Sequence, residues 1–191
     1  MPLLELEPFV APNDLFTGSA QELEEGALWW VLHTRPRAEK MLARKLHEAR
    51  HSFFLPLHKN QRRVNGRLRT SHLPLFPSYL FVRGDGGVRD FVLATNQVAR
   101  VLPVADQAGL HTDLAAVYQA MQSGMLMVPE ERLQPGAHVE IAAGALKGLK
   151  GTILQRGKET RFVIEVRLLQ RGVSVVLEGW MLRPSASPPQ E

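Results

Sequence analysis

Apolar and polar positions first fall into a pattern at Leu28-Trp29-Trp30-Val31-Leu32, a short unbroken apolar run of the kind a buried strand shows. Pro36 follows where a first helical turn tolerates it. From Arg37 to Arg50 the period becomes helical. At about 100° per residue Ala38, Leu42, Leu46 and Ala49 share one stripe, and Arg37, Lys40, Arg44 and His47 fall on the far side. One face is thus predicted to pack on a sheet and the other to form a cationic ridge. After Phe53-Phe54-Leu55, the basic stretch Lys59 to Arg69 is centred on Asn65-Gly66. That dipeptide accepts the positive φ angles of a tight hairpin, so Arg62-Arg63-Val64 and Arg67-Leu68-Arg69 are predicted to pair. So much positive charge resists edge aggregation and suits contact with phosphate. Leu75 to Val82 is the strongest strand signal, with Pro77 near its start. A helix around Val88–Ala94, a strand over Val98–Val104 and a helix from Asp113 (as N-cap) to about Gln122 complete an interleaved α/β pattern.

Gly124, Pro129 and Pro135 mark residues 125–135 as a linker. Beyond it the period changes to two. Val139 and Ile141 alternate with polar neighbours, as do Phe162, Ile164, Val166 and Leu168, and then Val173, Val175 and Leu177. Short strands and Gly-bearing turns within some fifty residues predict a small barrel over 136–184. β-Branched density and the glycines at 144, 148, 151 and 172 favour strands there over a helical hairpin. Residues 1–27 hold no lasting period and are expected to form an acidic flexible extension, and 185–191 a disordered Pro/Ser tail.

Composition narrows the function. There is no cysteine, which excludes disulfides, thiolate metal sites and cysteine nucleophiles. Residues 1–27 carry six acids and no Lys or Arg, unlike a signal peptide, and no apolar run is long enough for a membrane helix; a soluble cytoplasmic protein is expected. The net charge of +4 conceals an asymmetry: −6 over residues 1–27, +8 over 28–125 and +2 over 126–191. A basic block of this size predicts a polyanionic partner. His47 and His51, with His58 beyond, have a spacing that can hold zinc, but no HExxH or nearby carboxylate completes a site, so no metal, cofactor or enzymatic activity is expected. No GxSxG context supports a serine nucleophile either.

Two motifs are more specific. The segment Ile141-Ala142-Ala143-Gly144-Ala145-Leu146-Lys147-Gly148-Leu149-Lys150-Gly151-Thr152-Ile153-Leu154 misses the GxxxxGK[ST] phosphate loop and closely resembles the KOW motif of NusG and certain ribosomal proteins. Trp29 to Lys40 resembles the opening strand and helix of the NusG N-terminal (NGN) domain. Phe54-Leu55-Pro56-Leu57 and Pro74-Leu75-Phe76-Pro77-Ser78-Tyr79-Leu80-Phe81-Val82 match its next landmarks in order. The resemblance covers roughly residues 28–184. It implies an α+β fold: an NGN domain over 28–124, an α/β sandwich with an antiparallel sheet, followed by a small all-β SH3-like KOW barrel over 136–184. Arg35-Pro36-Arg37 stands where housekeeping members usually carry a Ser-Gly pair, which resembles the specialised RfaH-type subclass. Val88-Arg89-Asp90-Phe91 stands where that subclass can carry a His-Thr-Thr-Thr run contacting the polymerase gate loop.

The resemblance implies a transcription elongation or antitermination factor that catalyses nothing. An apolar patch is expected to dock on the β′ clamp helices of RNA polymerase, and the matching positions are Phe76, Tyr79, Phe81, Val101, Leu102 and Val104. Phe76 and Phe81 differ in parity, so a continuous strand could not present both on one face. Arg35, Lys40, Arg44 and Lys45 match the surface that meets non-template or upstream DNA. Leu168, Leu169 and Arg171 match the loop through which the KOW domain recruits a small-subunit ribosomal protein or the termination factor Rho. A monomer is expected. Two rival readings remain at this level: a general NusG-like factor assisting Rho-dependent termination, and a ribosome-associated KOW protein that binds RNA.

Overall fold

The structure, a computed structural model, describes residues 8–17, 27–130, 136–156, 159–177 and 181–185. The chain divides into two compact units, Met1–His111 and Thr112–Glu191. The division therefore falls inside a helix, upstream of the boundary near 124 that the glycine and prolines suggest.

The first unit is an antiparallel sheet of β1 (Val10–Ala11), β2 (Leu28–Thr34), β3 (Ser52–Phe54), β6 (Tyr79–Gly84) and β7 (Val98–Leu102), in the order β1-β3-β6-β2-β7. Helices α1 (Glu39–Glu48) and α2 (Gly86–Ala94) supply apolar stripes to one face. Leu42, Ala43 and Leu46 of α1 and Val88 and Val92 of α2 are buried with Leu32, Phe53, Leu80 and Val82 of the sheet. Each such leucine contributes roughly 1.5–3 kcal/mol by leaving water. α2 starts cleanly because the Asp85 side chain accepts from the Gly87 and Val88 amides. α1 starts later than its period predicts: Arg37 takes φ 63° and the helix begins at Glu39. Ala49, expected on the buried stripe, is exposed at the helix end.

The opposite sheet face is aromatic. Trp29, Val31, Phe54 and Phe81 lie on it, and all four are buried. Residues 8–17, expected from sequence to be part of a flexible extension, join the sheet and contribute to both faces, with Phe9 and Ala11 packed against the α1/α2 core and Phe16 on the aromatic side. β1 pairs with β3, and Phe16 stacks on Trp29 at 5.9 Å and meets Phe54 edge-on at 4.9 Å. Residues 1–7 and 18–26 of that extension lie outside the described residues. β4 (Leu57–Val64) and β5 (Arg67–Pro74) form a separate two-stranded sheet. Its turn is Asn65-Gly66 with φ 49° and 74°, as the dipeptide predicts, and the pairing runs well past the predicted triplets to Leu57↔Pro74.

Helix α3 (Gln107–Gln122) begins six residues before the expected Asp113. The Gly109 amide donates to Asp106 Oδ1 at 2.8 Å, so Asp106 does the capping that Asp113 was expected to do. In the second unit, β8 (Val128–Glu130), β9 (Ala137–Ile141), β10 (Lys150–Arg156), β11 (Glu159–Val166), β12 (Arg171–Val176) and β13 (Leu182–Pro184) form one antiparallel sheet ordered β13-β9-β10-β11-β12-β8. Among the described residues this sheet is open, with no pairing between β13 and β8, in place of the closed barrel expected. The expected linker is in part structural. Val128–Glu130 pairs with β12, and buried Glu130 accepts from Ser174 Oγ at 2.7 Å; 131–135 lie outside the described residues, as do 186–191 of the expected tail. The Gly-rich motif turns between β9 and β10 with Gly144 and Gly148 at φ 87° and 90°. At Gly151 a β-carbon would collide with the Val163 carbonyl oxygen and lie 2.8 Å from the Phe162 ring, so only glycine allows β10 to lie this close on β11.

Candidate functional site

The contact surface expected on β6 and β7 is split by the fold. Phe76 and Phe81 are 1% and 0% exposed, so neither reaches the surface. The parity argument fails here for a local reason. Phe76 precedes β6, and Ser78 at φ 67° breaks the extended chain and turns Phe76 back to meet Phe81 edge-on at 6.0 Å. That turn is clamped: the Ser78 amide donates to Glu39 Oε1 at 2.7 Å, and the Thr34 amide donates to the Ser78 carbonyl at 2.8 Å. Glu39 is a buried carboxylate in the first turn of α1, where the helix dipole favours negative charge.

Pairing settles what remains accessible. Tyr79 lies opposite His33, and His33 opposite Arg100, while Val31 lies opposite both Phe81 and Leu102. Tyr79, His33, Arg100 and Leu102 therefore share the aromatic face. Arg100 is exposed and the other three are half-buried. The His33 and Tyr79 rings are 5.2 Å apart. Val101 points to the other face, toward the α1/α2 core, and Val104 lies half-buried beyond the end of β7. Of the six predicted positions, Tyr79 and Leu102 lie half-buried on the same face, Phe81 is buried on that face, and Phe76 packs against Phe81. His33 and Arg100 were missed. The two-residue spacing of His33 from Val31 was the available signal, but it needed the strand pairing to be known.

Deeper on this face His111 sits 6.0 Å from Trp29 and 5.7 Å from Phe16. Burial, and then the Arg83 guanidinium, hold its pKa below the ordinary 6.5. Its Nδ1 is buried without a hydrogen-bond partner.

The cationic set is only partly assembled. Lys40 and Arg44 are four residues apart and share a ridge on α1. Lys45 stands about 100° further round and faces the other flank. Arg35 is exposed at the end of β2, where its amide donates to the Gln97 carbonyl. Arg37, absent from the predicted set, joins Arg35 beside the start of the ridge. It is exposed at a left-handed φ that L-residues occupy at a cost of roughly 1–2 kcal/mol. His51, weighed as a metal ligand with His47 and His58, instead packs against Phe91 at 4.6 Å. Among the described residues no three His, Asp or Glu side chains lie close enough to share a metal ion, and no helix is long and apolar enough to cross a membrane.

In the second unit, Arg167–Leu169 form a single 3-10 turn closed by Gln170 at φ 51°. Leu168 leaves the strand period there and is 40% exposed, and Leu169 and Arg171 are half-buried. The turn is anchored by Asp113, whose carboxylate accepts from the Arg167 amide at 3.0 Å and from Nη2 at 3.1 Å.

The arrangement is thus a sheet face bearing half-buried Tyr79, His33 and Leu102 with exposed Arg100, a basic ridge on α1 and an anchored turn. Residues 27–118 match the family model described as "Transcription termination factor nusG". This segment holds four of the five strands of the first sheet, both helices packed on it and the β4–β5 hairpin. A comparison with curated proteins finds no match. Among solved structures, the chain is similar to one described as "Domain interaction in Thermotoga maritima NusG", at 18% identity and a TM-score of 0.47, over 87% of this chain and 99% of that one. It is also similar to a chain from "Crystal Structure of MjSpt4:Spt5 complex conformation B", at 15% identity and a TM-score of 0.28, over 86% and 100%.

Proposed function

We propose that this protein is a NusG-family transcription factor that binds RNA polymerase through its first unit and recruits a second partner through its second. The observation that carries this is the family match over residues 27–118, which takes in the sheet face bearing Tyr79 and the basic ridge of α1. On this reading the polymerase contact, to the β′ clamp helices, is made by Tyr79, His33, Arg100 and Leu102. Phe81 lies buried on the same face beside them, with Phe76 packed edge-on against it. Aromatic and guanidinium groups held on a sheet suit an interface, because little conformational freedom is lost on binding. Lys40 and Arg44, with Arg35 and Arg37, form the DNA-facing ridge. Keeping Arg37 at an unfavourable φ is the kind of local cost that functional positions carry.

The second unit is a KOW-type module, and its exposed Leu168 with Leu169 and Arg171 is the contact for a ribosomal protein or Rho. Arg35-Pro36-Arg37 supports assignment to the specialised antitermination branch. The protein acts by binding alone, as a cytoplasmic monomer without a cofactor, shifting the polymerase toward its elongating state.

The test is co-purification with core RNA polymerase. Tyr79→Ala with Leu102→Ala should abolish binding and leave circular dichroism unchanged, since neither side chain lies in the buried core. Retained binding by the folded double variant would refute the surface. A single-round transcription assay across a Rho-dependent terminator then gives the sign of the effect: readthrough supports antitermination, and earlier release supports a Rho-assisting factor.

A further inference from the structure

The β4–β5 hairpin carries a charge pattern that none of these surfaces uses. Its residues 57–74 include Lys59, Arg62, Arg63, Arg67 and Arg69 and no Asp or Glu. The register puts Arg62 directly opposite Arg69, with Arg67 next on the same face opposite Val64. Because alternate residues share a face, Lys59 and Arg63 lie on the other one. All five are exposed, and none is in an ion pair among the described residues. Like charges directly opposite across a strand pair destabilise it. Among the described residues the ribbon therefore carries cationic charge, partnered by no carboxylate, that a polyanion would neutralise.

The shape and composition of the ribbon select the polyanion. Residues 57–74 contain no Phe, Tyr or Trp. A single strand of nucleic acid is held by bases stacking on aromatic rings, and the hairpin has no such platform. Charge on both faces of a narrow two-stranded ribbon fits a ligand that surrounds it. The major groove of B-form DNA admits a two-stranded β-ribbon and lines it with phosphates on either side. The major groove of A-form RNA is too deep and narrow for this.

We propose that the β4–β5 hairpin is a duplex-DNA-binding arm that enters the major groove, with Arg62, Arg67 and Arg69 directed to phosphates along one side and Lys59 and Arg63 along the other. The arm is separate from the α1 ridge and requires no polymerase.

The test uses the full chain without polymerase. Fluorescence anisotropy is measured with a short labelled DNA duplex, its isolated single strand and an RNA duplex of the same sequence, across a salt series. The chain should bind the DNA duplex most tightly. Arg62→Ser with Arg69→Ser should weaken duplex binding at least tenfold and reduce the slope of log affinity against log salt by about 1.8, at 0.9 per lost phosphate contact. Arg62→Lys with Arg69→Lys should retain the slope, and Arg63→Ser alone should lower it by about 0.9 from the other face. These side chains lie outside both cores, so melting temperature should hold; if the double Ser variant unfolds, the Arg63→Ser result decides. An unchanged slope overturns the proposal. So does an equal loss on single-stranded DNA or duplex RNA, which would make the hairpin a general polyanion surface, or preferential binding of an acidic peptide.

Discussion

Replacing Glu39 by Ala probes the link between the core and the contact surface. The carboxylate accepts a 2.7 Å hydrogen bond from the Ser78 amide and is 6% exposed. A hydrogen bond to a charged group contributes about 1.5–3 kcal/mol, and its loss leaves the Ser78 amide without its acceptor. Loss of the favourable interaction with the helix N-terminus adds about 0.3–1 kcal/mol. Releasing a buried carboxylate from its desolvation cost offsets part of this, so the expected destabilisation is roughly 2–3 kcal/mol. For a domain of this size that lowers the melting temperature by roughly 8–20 °C. Glu39→Gln keeps an acceptor and should lose only about 1 kcal/mol. Ser78→Gly relieves the left-handed φ and should recover about 1 kcal/mol in the wild-type background. Because Tyr79 follows Ser78 directly, Glu39→Ala should also weaken polymerase binding at temperatures where the variant is still folded. Thermal and urea unfolding of the three variants provide the measurement. A loss below about 0.5 kcal/mol for Glu39→Ala would show that the turn holds itself and would refute the clamp.

Gly151→Ala should destabilise the second unit by roughly 1–3 kcal/mol, because the added methyl meets the Val163 carbonyl and the Phe162 ring; unfolding followed by strand chemical shifts in that unit checks it, and an unchanged midpoint would contradict the close approach. The lowered pKa of His111 makes the fold acid-sensitive. The unfolded chain binds the proton more readily between the depressed folded pKa and the ordinary 6.5, so stability rises with pH through that window and falls as pH drops below about 6.5. His58, lowered by burial and then by His72, acts in the same direction. His111→Phe should flatten the pH dependence of the urea midpoint between neutral and mildly acidic pH, and an unchanged profile would refute the role of His111.

Local chemistry made several features readable before any contact was known. Asn65-Gly66 demands its hairpin, since two positive φ angles in succession suit few other dipeptides. Leu42 and Leu46 mark the buried side of α1 because helical spacing alone puts them on one stripe. The glycines at 144, 148 and 151 announce a turn and a close strand approach that a β-carbon would obstruct. The cationic and aromatic residue types of the candidate surfaces were likewise visible in the chain.

The grouping of those residues depended on pairing across long separations. A positive φ at Ser78, held by a carboxylate 39 residues away, folds Phe76 under Phe81 and defeats a parity argument that was sound for a continuous strand. Residues 8–17 have no period, yet they add a strand and an aromatic ring to a sheet whose other strands lie far along the chain. Asp113 has the right chemistry for an N-cap, and Asp106 caps α3 instead, leaving Asp113 to hold Arg167. His33 became part of a surface only when β6 and β7 were laid on either side of β2. Periodicity reports which side of an element is apolar. It carries no information about which element will cover that side, and that choice is made by packing among all of them at once.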